Sequence, residues 1–189
     1  DGFACEPRPG AFDEEAGEPT VKPGFYFDDA TRKKVEDFIV AFFDLYDGNK
    51  KSTTQRKDLI RAYEEENSQF TLVIDNLPDD PHPRPRYPDD DSYATYVRMS
   101  HNIRVAHKWD RHRSQRVFCG AMEIAAQLAK LPVTNHYRES FIVDVSMVTA
   151  TMLCFTVQGL FEDGERVGNG TPELSFFCRN FVVVPRPNE

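Results

Sequence analysis

Cysteine is scarce in this 189-residue chain, tryptophan occurs once, and long apolar runs are missing. Cys5, Cys119, Cys154 and Cys178 show no paired spacing, and three of them sit in apolar stretches, the pattern of buried reduced thiols. Such thiols favour an intracellular compartment over a disulfide-built secreted one. No stretch reaches the roughly 18–20 apolar residues of a membrane-spanning helix, and no membrane partner is expected. Asp1 is followed by no basic-then-apolar leader, so the sequence reads as a piece of something longer. Positive charge is also short, 23 Lys and Arg against 31 Asp and Glu, a formal net charge of −8. That balance argues against a general binder of nucleic acid or anionic lipid, while leaving room for a local basic patch. There is no nucleophile elbow, phosphate loop, pair of catalytic carboxylates, Cys-x-x-Cys pair or internal repeat. No catalytic residue, metal or cofactor is assigned.

What is present is a core. Hydrophobic residues make up 40% of the chain, with 15 phenylalanines, enough for one domain of ordinary size. Residues 1–27, rich in Pro, Gly and Glu without periodicity, read as a linker whose Phe25 and Phe27 tuck against the domain. The domain is residues 28–189. Val35, Phe38, Ile39, Phe42, Phe43, Leu45 and Tyr46 follow the 3.6-residue period and predict a helix over 29–47, capped by Asp28 or Asp29. Ser52, Thr53, Thr54 and Gln55 resemble a capping box opening a second helix that runs to about Tyr63. A short strand over 69–74, a proline- and aspartate-rich loop over 75–90 and a short helix over 91–99 follow. A further helix within 116–131 is stopped by Pro132. Three strands, near 140–146, 152–161 and 174–185, close the chain. This order predicts an α+β fold, a curved antiparallel sheet with helices on its inner face.

Alternation then divides the strands into faces. Phe141, Val143, Val145 and Met147 form one apolar set, the natural core face. Ile142, Asp144, Ser146 and Val148 form a mixed set, and Met152, Cys154, Thr156 and Gln158 repeat that mixture next door. A face of mixed polarity with a central acid suits a protein–protein interface. It equally suits an exposed face with an unremarkable surface carboxylate.

The residues carry a resemblance. Gly24 to Phe27, the run from Phe38 to Asp47, Leu59 to Tyr63, Phe70 to Leu72 and Ser100 to Ile103 come in order. Leu131, Pro132 and His136 follow, then the runs from Ser140 to Ser146, Leu153 to Phe155 and Arg179 to Pro185. In that spacing, over about 160 residues, the chain resembles the nuclear-transport-factor-two-like domain of the nuclear RNA export factors. The resemblance implies a non-catalytic cone of curved sheet and about three to four helices. It implies a heterodimer, sheet to sheet, with a small nuclear-transport-factor-two-related export protein. It also implies a place in the nucleus, shuttling to the pore, with RNA held mostly by other domains. The family's acid in the Val-Asp-Val-Ser strand pairs with an arginine of that partner and aligns with Asp144. Ser146, Thr156, Gln158, Arg179 and Asn180 are taken as further polar members of the interface.

A second family site grips phenylalanine-glycine nucleoporin repeats in an apolar pocket walled by two leucines on the first helix and a proline beyond the last strand. Glu36, Ile39 and Pro185 occupy those positions. A carboxylate opposes burial of a phenyl ring, so this pocket is expected to be weakened. A divergent member repurposed for small-RNA-guided transposon silencing would fit that pattern and stands as an alternative to bulk messenger-RNA export.

Two other features need weighing. Arg98, Arg104, Lys108, Arg111, Arg113 and Arg116, with Trp109 among them, face only one acid, Asp110. This basic island reads either as a phosphate- or partner-contacting patch or as a solvated connector whose charges pair with the acidic loop nearby. His101, His107, His112 and Cys119 match no tight metal-ligand spacing. Cone folds of this kind also host isomerases and dehydratases that use an acid inside the cone as base. Whether Asp144 points into the cone or out of the sheet separates that reading from a binding domain.

Overall fold

The computed structural model describes residues 24–48, 52–74, 95–96, 99–101, 116–163 and 174–186. Its elements are α1 (Asp29–Asp47), a 3-10 helix η1 (Thr54–Ala62), β1 (Gln69–Phe70), β2 (Phe118–Cys119), α2 (Ala121–Leu128), β3 (Thr134–Val148), β4 (Leu153–Asp163) and β5 (Leu174–Val183). Among the described residues no helix is long and apolar enough to cross a membrane.

Helix α1 occupies the residues its periodicity predicts. Asp28 is the N-cap, its Oδ1 accepting from the Thr31 amide at 2.6 Å, and the helix stops at Gly48. Val35, Ile39, Phe42, Phe43 and Tyr46 are buried along one stripe, each contributing roughly 1.5–3 kcal/mol of transfer free energy. The stripe lies against Val143, Val145, Phe155 and Val157 on the concave side of the sheet β3-β4-β5, which is antiparallel throughout. The result is the α+β fold expected from the element order, in the cone form that the resemblance implied.

The second helix departs from expectation. It is 3-10 over nine residues, and its capping box does not form. The Thr53 hydroxyl donates instead to the Ala129 carbonyl at 2.8 Å, a tertiary bond that competes with the local one. The strand expected over 69–74 is confined to Gln69–Phe70, pairing with β2, while Leu72 makes an isolated bridge to Ser100. In the short helix expected over 91–99, only Thr95, Tyr96 and Met99 are described, and Tyr96 and Met99 are buried.

Two irregularities shape β3. Between Tyr137 and Ile142 the register shifts, and Ser140 bridges the gap by donating to the Tyr137 carbonyl and accepting from the Leu160 amide. Between Val145 and Met147 the pairing advances two residues against one on β4, a bulge at Ser146. The bulge reverses the faces, so Met147 leaves the core side assigned to it by simple alternation. It pairs with Cys154 and is exposed.

Candidate functional site: the outer face of the sheet

With Val143 and Val145 buried inward, alternation turns Asp144 outward. Asp144 pairs with Thr156, and Thr156 pairs with Asn180, so the three form one row across the convex face. The Thr156 hydroxyl donates to Asn180 Oδ1 at 2.6 Å. The next row is Ile142, Gln158 and Cys178. Beyond it Leu160 pairs with Phe176, and on the other side Met147, Cys154 and Val182 align. Phe176 is 64% exposed and Val182 68%, so the polar row is flanked by open apolar surface. Phe176, Leu160 and Val182 were missed in the sequence reading, although the alternation of Leu174, Phe176, Cys178, Asn180 and Val182 in β5 carries the signal.

Asp144 is half-buried, and among the described residues its carboxylate forms no hydrogen bond or ion pair. Its charge is nonetheless felt nearby. Burial raises the pKa of the Tyr26 hydroxyl, Glu36 adds to the rise, Arg32 opposes it, and Asp144 adds a smaller upward push. Ser146 stands exposed at the bulge and donates to the Cys154 carbonyl at 3.2 Å.

Arg179, grouped with these residues from the sequence, lies on the opposite face. Its neighbours Cys178 and Asn180 point outward, so Arg179 points into the cone. Its guanidinium carbon sits 4.6 Å from the Tyr46 ring centroid, 5.1 Å from Phe42 and 6.0 Å from Phe181. Of the residues expected at an interface, Asp144, Ser146, Thr156, Gln158 and Asn180 are left on the outer side of the sheet.

The positions matched to the nucleoporin pocket also separate. Ile39 faces the core. Glu36 is exposed on α1 and accepts from Arg32 Nε at 2.8 Å, a surface i,i+4 pair. Val40, one turn from Glu36, is the exposed apolar residue on that side of the helix, and Pro185 is exposed after β5. Of the basic island, only Arg116 is described, donating to the Ser100 carbonyl at 2.9 Å; Arg98, Arg104, Lys108, Trp109, Arg111 and Arg113 lie outside the described residues.

Inside the cone is a polar cluster that the sequence did not reveal. Asp47, at the end of α1, takes the Thr134 hydroxyl at 2.9 Å and His136 Nδ1 at 2.7 Å on one oxygen, and the His136 amide at 3.0 Å on the other. Burial raises the Asp47 pKa, but the hydrogen bond and charge of His136, its amide and the Thr134 hydroxyl outweigh it and hold the carboxyl below its usual range. Burial pushes His136 down, and the nearby Arg179 and Arg56 add to this against the opposing pull of Asp47. A His–Asp pair has the look of a catalytic dyad. Here the imidazole is walled by Phe43, Phe141, Phe161 and Phe177, with centroids 4.6 to 6.4 Å away, and its side chain is 6% exposed. It fastens the end of α1 to the start of β3.

The family described as "Nuclear RNA export factor, NTF2 domain" matches residues 34–189. The chain is 42% identical over 168 residues to nuclear RNA export factor 1 of Caenorhabditis elegans, covering 89% of this chain and 26% of that protein. It is 38% identical over 191 residues to nuclear RNA export factor 2 of the same organism, covering 98% and 46%. Human nuclear RNA export factor 3 is 29% identical over 167 residues, covering 88% and 28%. The chain thus spans from about a quarter to just under half of the curated relatives named here. Among solved structures, a chain of the complex "Sac3N peptide bound to Mex67:Mtr2" shares the fold with a TM-score of 0.59 at 20% identity, over 91% of this chain and 89% of that one.

Proposed function

This chain belongs to the nuclear RNA export factor family, in its NTF2 domain, and on that premise we propose that it is a non-catalytic docking domain whose convex sheet face holds a small nuclear-transport-factor-two-related protein. One observation carries this reading: Asp144 is a half-buried carboxylate, unpaired among the described residues, at the centre of an otherwise apolar and hydrogen-bonding face. A carboxylate in such a setting needs a cation once water is excluded, and a guanidinium from the partner supplies it with two donors. The relatives' names support a role for the whole protein in nuclear RNA export. The neighbouring solved complex joins Mex67 to Mtr2, and the same two-chain arrangement is carried over here. RNA contact is assigned to parts of the longer protein outside this domain, and the working compartment is the nucleus and its pores.

An isomerase- or dehydratase-like activity would need its base inside the cone. Asp144 points away from the cone, and the interior His136–Asp47 pair is boxed in by phenyl rings. Contact with phenylalanine-glycine repeats is weakened by Glu36, whose carboxylate and its Arg32 partner occupy the helix surface where a ring would lie.

The test is co-purification with the small related protein, followed by affinity measurement for wild type and Asp144→Arg. Reversing the charge strands the partner's cation and is expected to cost about 3–5 kcal/mol of binding. Unchanged affinity would overturn the docking role of Asp144. A stable dimer that ignores phenylalanine-glycine peptides points to a member diverted from bulk export, and a dimer that binds them tightly refutes the reading of Glu36.

A further inference from the structure

The convex face does not end at the edge of β3. Residues 24–27 lie along that edge in parallel. The Phe25 amide donates to the Val143 carbonyl, and the Val145 amide donates to the Phe25 carbonyl, both at 2.8 Å. This places Phe25 opposite Asp144 in a bridge. Bridged residues share a face, so Phe25 extends the row to Phe25, Asp144, Thr156 and Asn180. Tyr26 alternates inward, packs on the core and lies beneath the Arg32 guanidinium. Phe27 returns to the Phe25 side, with ring centroids 5.2 Å apart in an edge-to-face pair.

Of three consecutive aromatics, only the middle one tucks in, which corrects the expectation that Phe25 and Phe27 would do so. Phe25 is 53% and Phe27 54% exposed. The backbone is held so that they remain there. Gly24 has φ +51°, and a Cβ on it would sit 2.0 Å from the Val143 carbonyl oxygen. Only glycine lets the segment come this close to β3.

We infer that Phe25 and Phe27 form an aromatic clamp at the margin of the docking face, closing on the same partner subunit that engages Asp144. The inference rests on the docking reading above. Its support is continuity: both rings are on the same face, with Phe25 in the same row, beside a carboxylate that forms no hydrogen bond or ion pair among the described residues. Aromatic side chains, phenylalanine among them, are enriched at protein–protein interfaces, and a ring of apolar contacts around a charge pair keeps water from it. A phenyl ring beside Asp144 therefore adds contact area and lowers the local dielectric around the ion pair.

The experiment measures affinity of the chain for the small related protein with wild type, a Phe25→Ala/Phe27→Ala double variant, Gly24→Ala and Asp144→Arg, at salt between about 0.1 and 1 M, where the screening length falls from about 10 to about 3 Å. Both rings are exposed, so the double variant should melt like wild type. It is expected to bind at least about tenfold more weakly and to lose affinity more steeply with salt. Gly24→Ala, which leaves both rings in the sequence but dislodges their backbone, is expected to weaken binding in the same direction. Affinity within twofold of wild type for the double variant or for Gly24→Ala, with Asp144→Arg still disruptive, would overturn the clamp and leave the docking face intact. No binding by wild type would remove the docking reading and the clamp with it.

Discussion

Arg56 is 1% exposed, and removing it should be among the most damaging single changes in this domain. Its Nε donates to the Tyr46 carbonyl at 2.6 Å, Nη1 to the Leu128 and Leu131 carbonyls at 3.2 and 2.9 Å, and Nη2 to Thr134 Oγ1 at 2.8 Å. Tyr46 lies in the last turn of α1 and Leu128 ends α2, so one guanidinium serves carbonyls that two helix C-termini would otherwise leave open. Its positive charge also sits at the negative ends of both helix dipoles. The Tyr46 ring, 4.1 Å from the guanidinium carbon, adds a cation–π contact.

In Arg56→Met the stem is roughly replaced but three carbonyls and one hydroxyl lose a donor. Replacing a buried ion pair with apolar residues can be neutral when both partners are removed, but these acceptors are mostly backbone and cannot be. Each abandoned buried acceptor costs about 1–3 kcal/mol, and with partial relaxation and water entry a total of about 3–5 kcal/mol is expected. For a chain of this length that lowers the thermal midpoint by roughly 6–20 °C. Urea unfolding followed by circular dichroism measures the loss directly. Arg56→Lys, with a point charge in place of a planar fork, should recover only part of it. A loss below about 1 kcal/mol for Arg56→Met would refute the capping role.

Acid should loosen the same region. His136 is held below its ordinary value of 6.5, so below that pH the unfolded chain takes up a proton that the folded one refuses, and stability falls from about pH 6.5 downward. Asp47 is held below 3.8, so its contribution is present above that pH and is lost as the pH falls through the folded value, in the same direction. Urea midpoints at pH 7.5 and about 5.5 should differ less in His136→Gln than in wild type; equal differences would remove His136 from the account. Glu36→Leu is expected to tighten binding of phenylalanine-glycine peptides several-fold by removing the carboxylate from the α1 surface, read by peptide titration; unchanged affinity would show that Glu36 does not govern that site.

Helix α1 was legible because its burial follows from Val35, Ile39, Phe42, Phe43 and Tyr46 alone, a local pattern with a local cap. The convex row was legible for the same kind of reason, since Asp144, Thr156 and Asn180 follow from alternation once strands are paired. Alternation also forbids placing Arg179 beside Asn180, and the reading that joined them neglected that period. Met147 could not be placed, because the bulge at Ser146 has no mark in a run of ordinary strand residues. Arg56 sits in a polar stretch with Lys57 and Asp58, and nothing local separates it from a solvated residue. Its burial is set by carbonyls that only tertiary packing brings together. The segment 24–27 looked like the end of a linker by composition. Two backbone hydrogen bonds to β3, which the lack of a side chain at Gly24 permits, lay it along the sheet edge, and such pairing is invisible along the chain.

The division of polar groups between the two sides of the sheet follows from one constraint. Inside the cone, water cannot compensate a charge, and the chain supplies its own partners: carbonyls for Arg56, an imidazole and a hydroxyl for Asp47. Arg179 is the costly exception. Its Nη1 is buried without a hydrogen-bond partner among the described residues, and the faces of Tyr46, Phe42 and Phe181 offset the loss. On the convex side, Asp144 is left unpaired among the described residues while Thr156 and Asn180 bond to each other. An unpaired carboxylate is tolerable there only because water still reaches it. The two sides should therefore fail differently. Changes at Arg56 or Asp47 should act on folding, with binding altered only through the folded fraction. Changes at Asp144 should act on the partner while leaving the unfolding transition in place, because among the described residues that carboxylate forms no hydrogen bond or ion pair to lose.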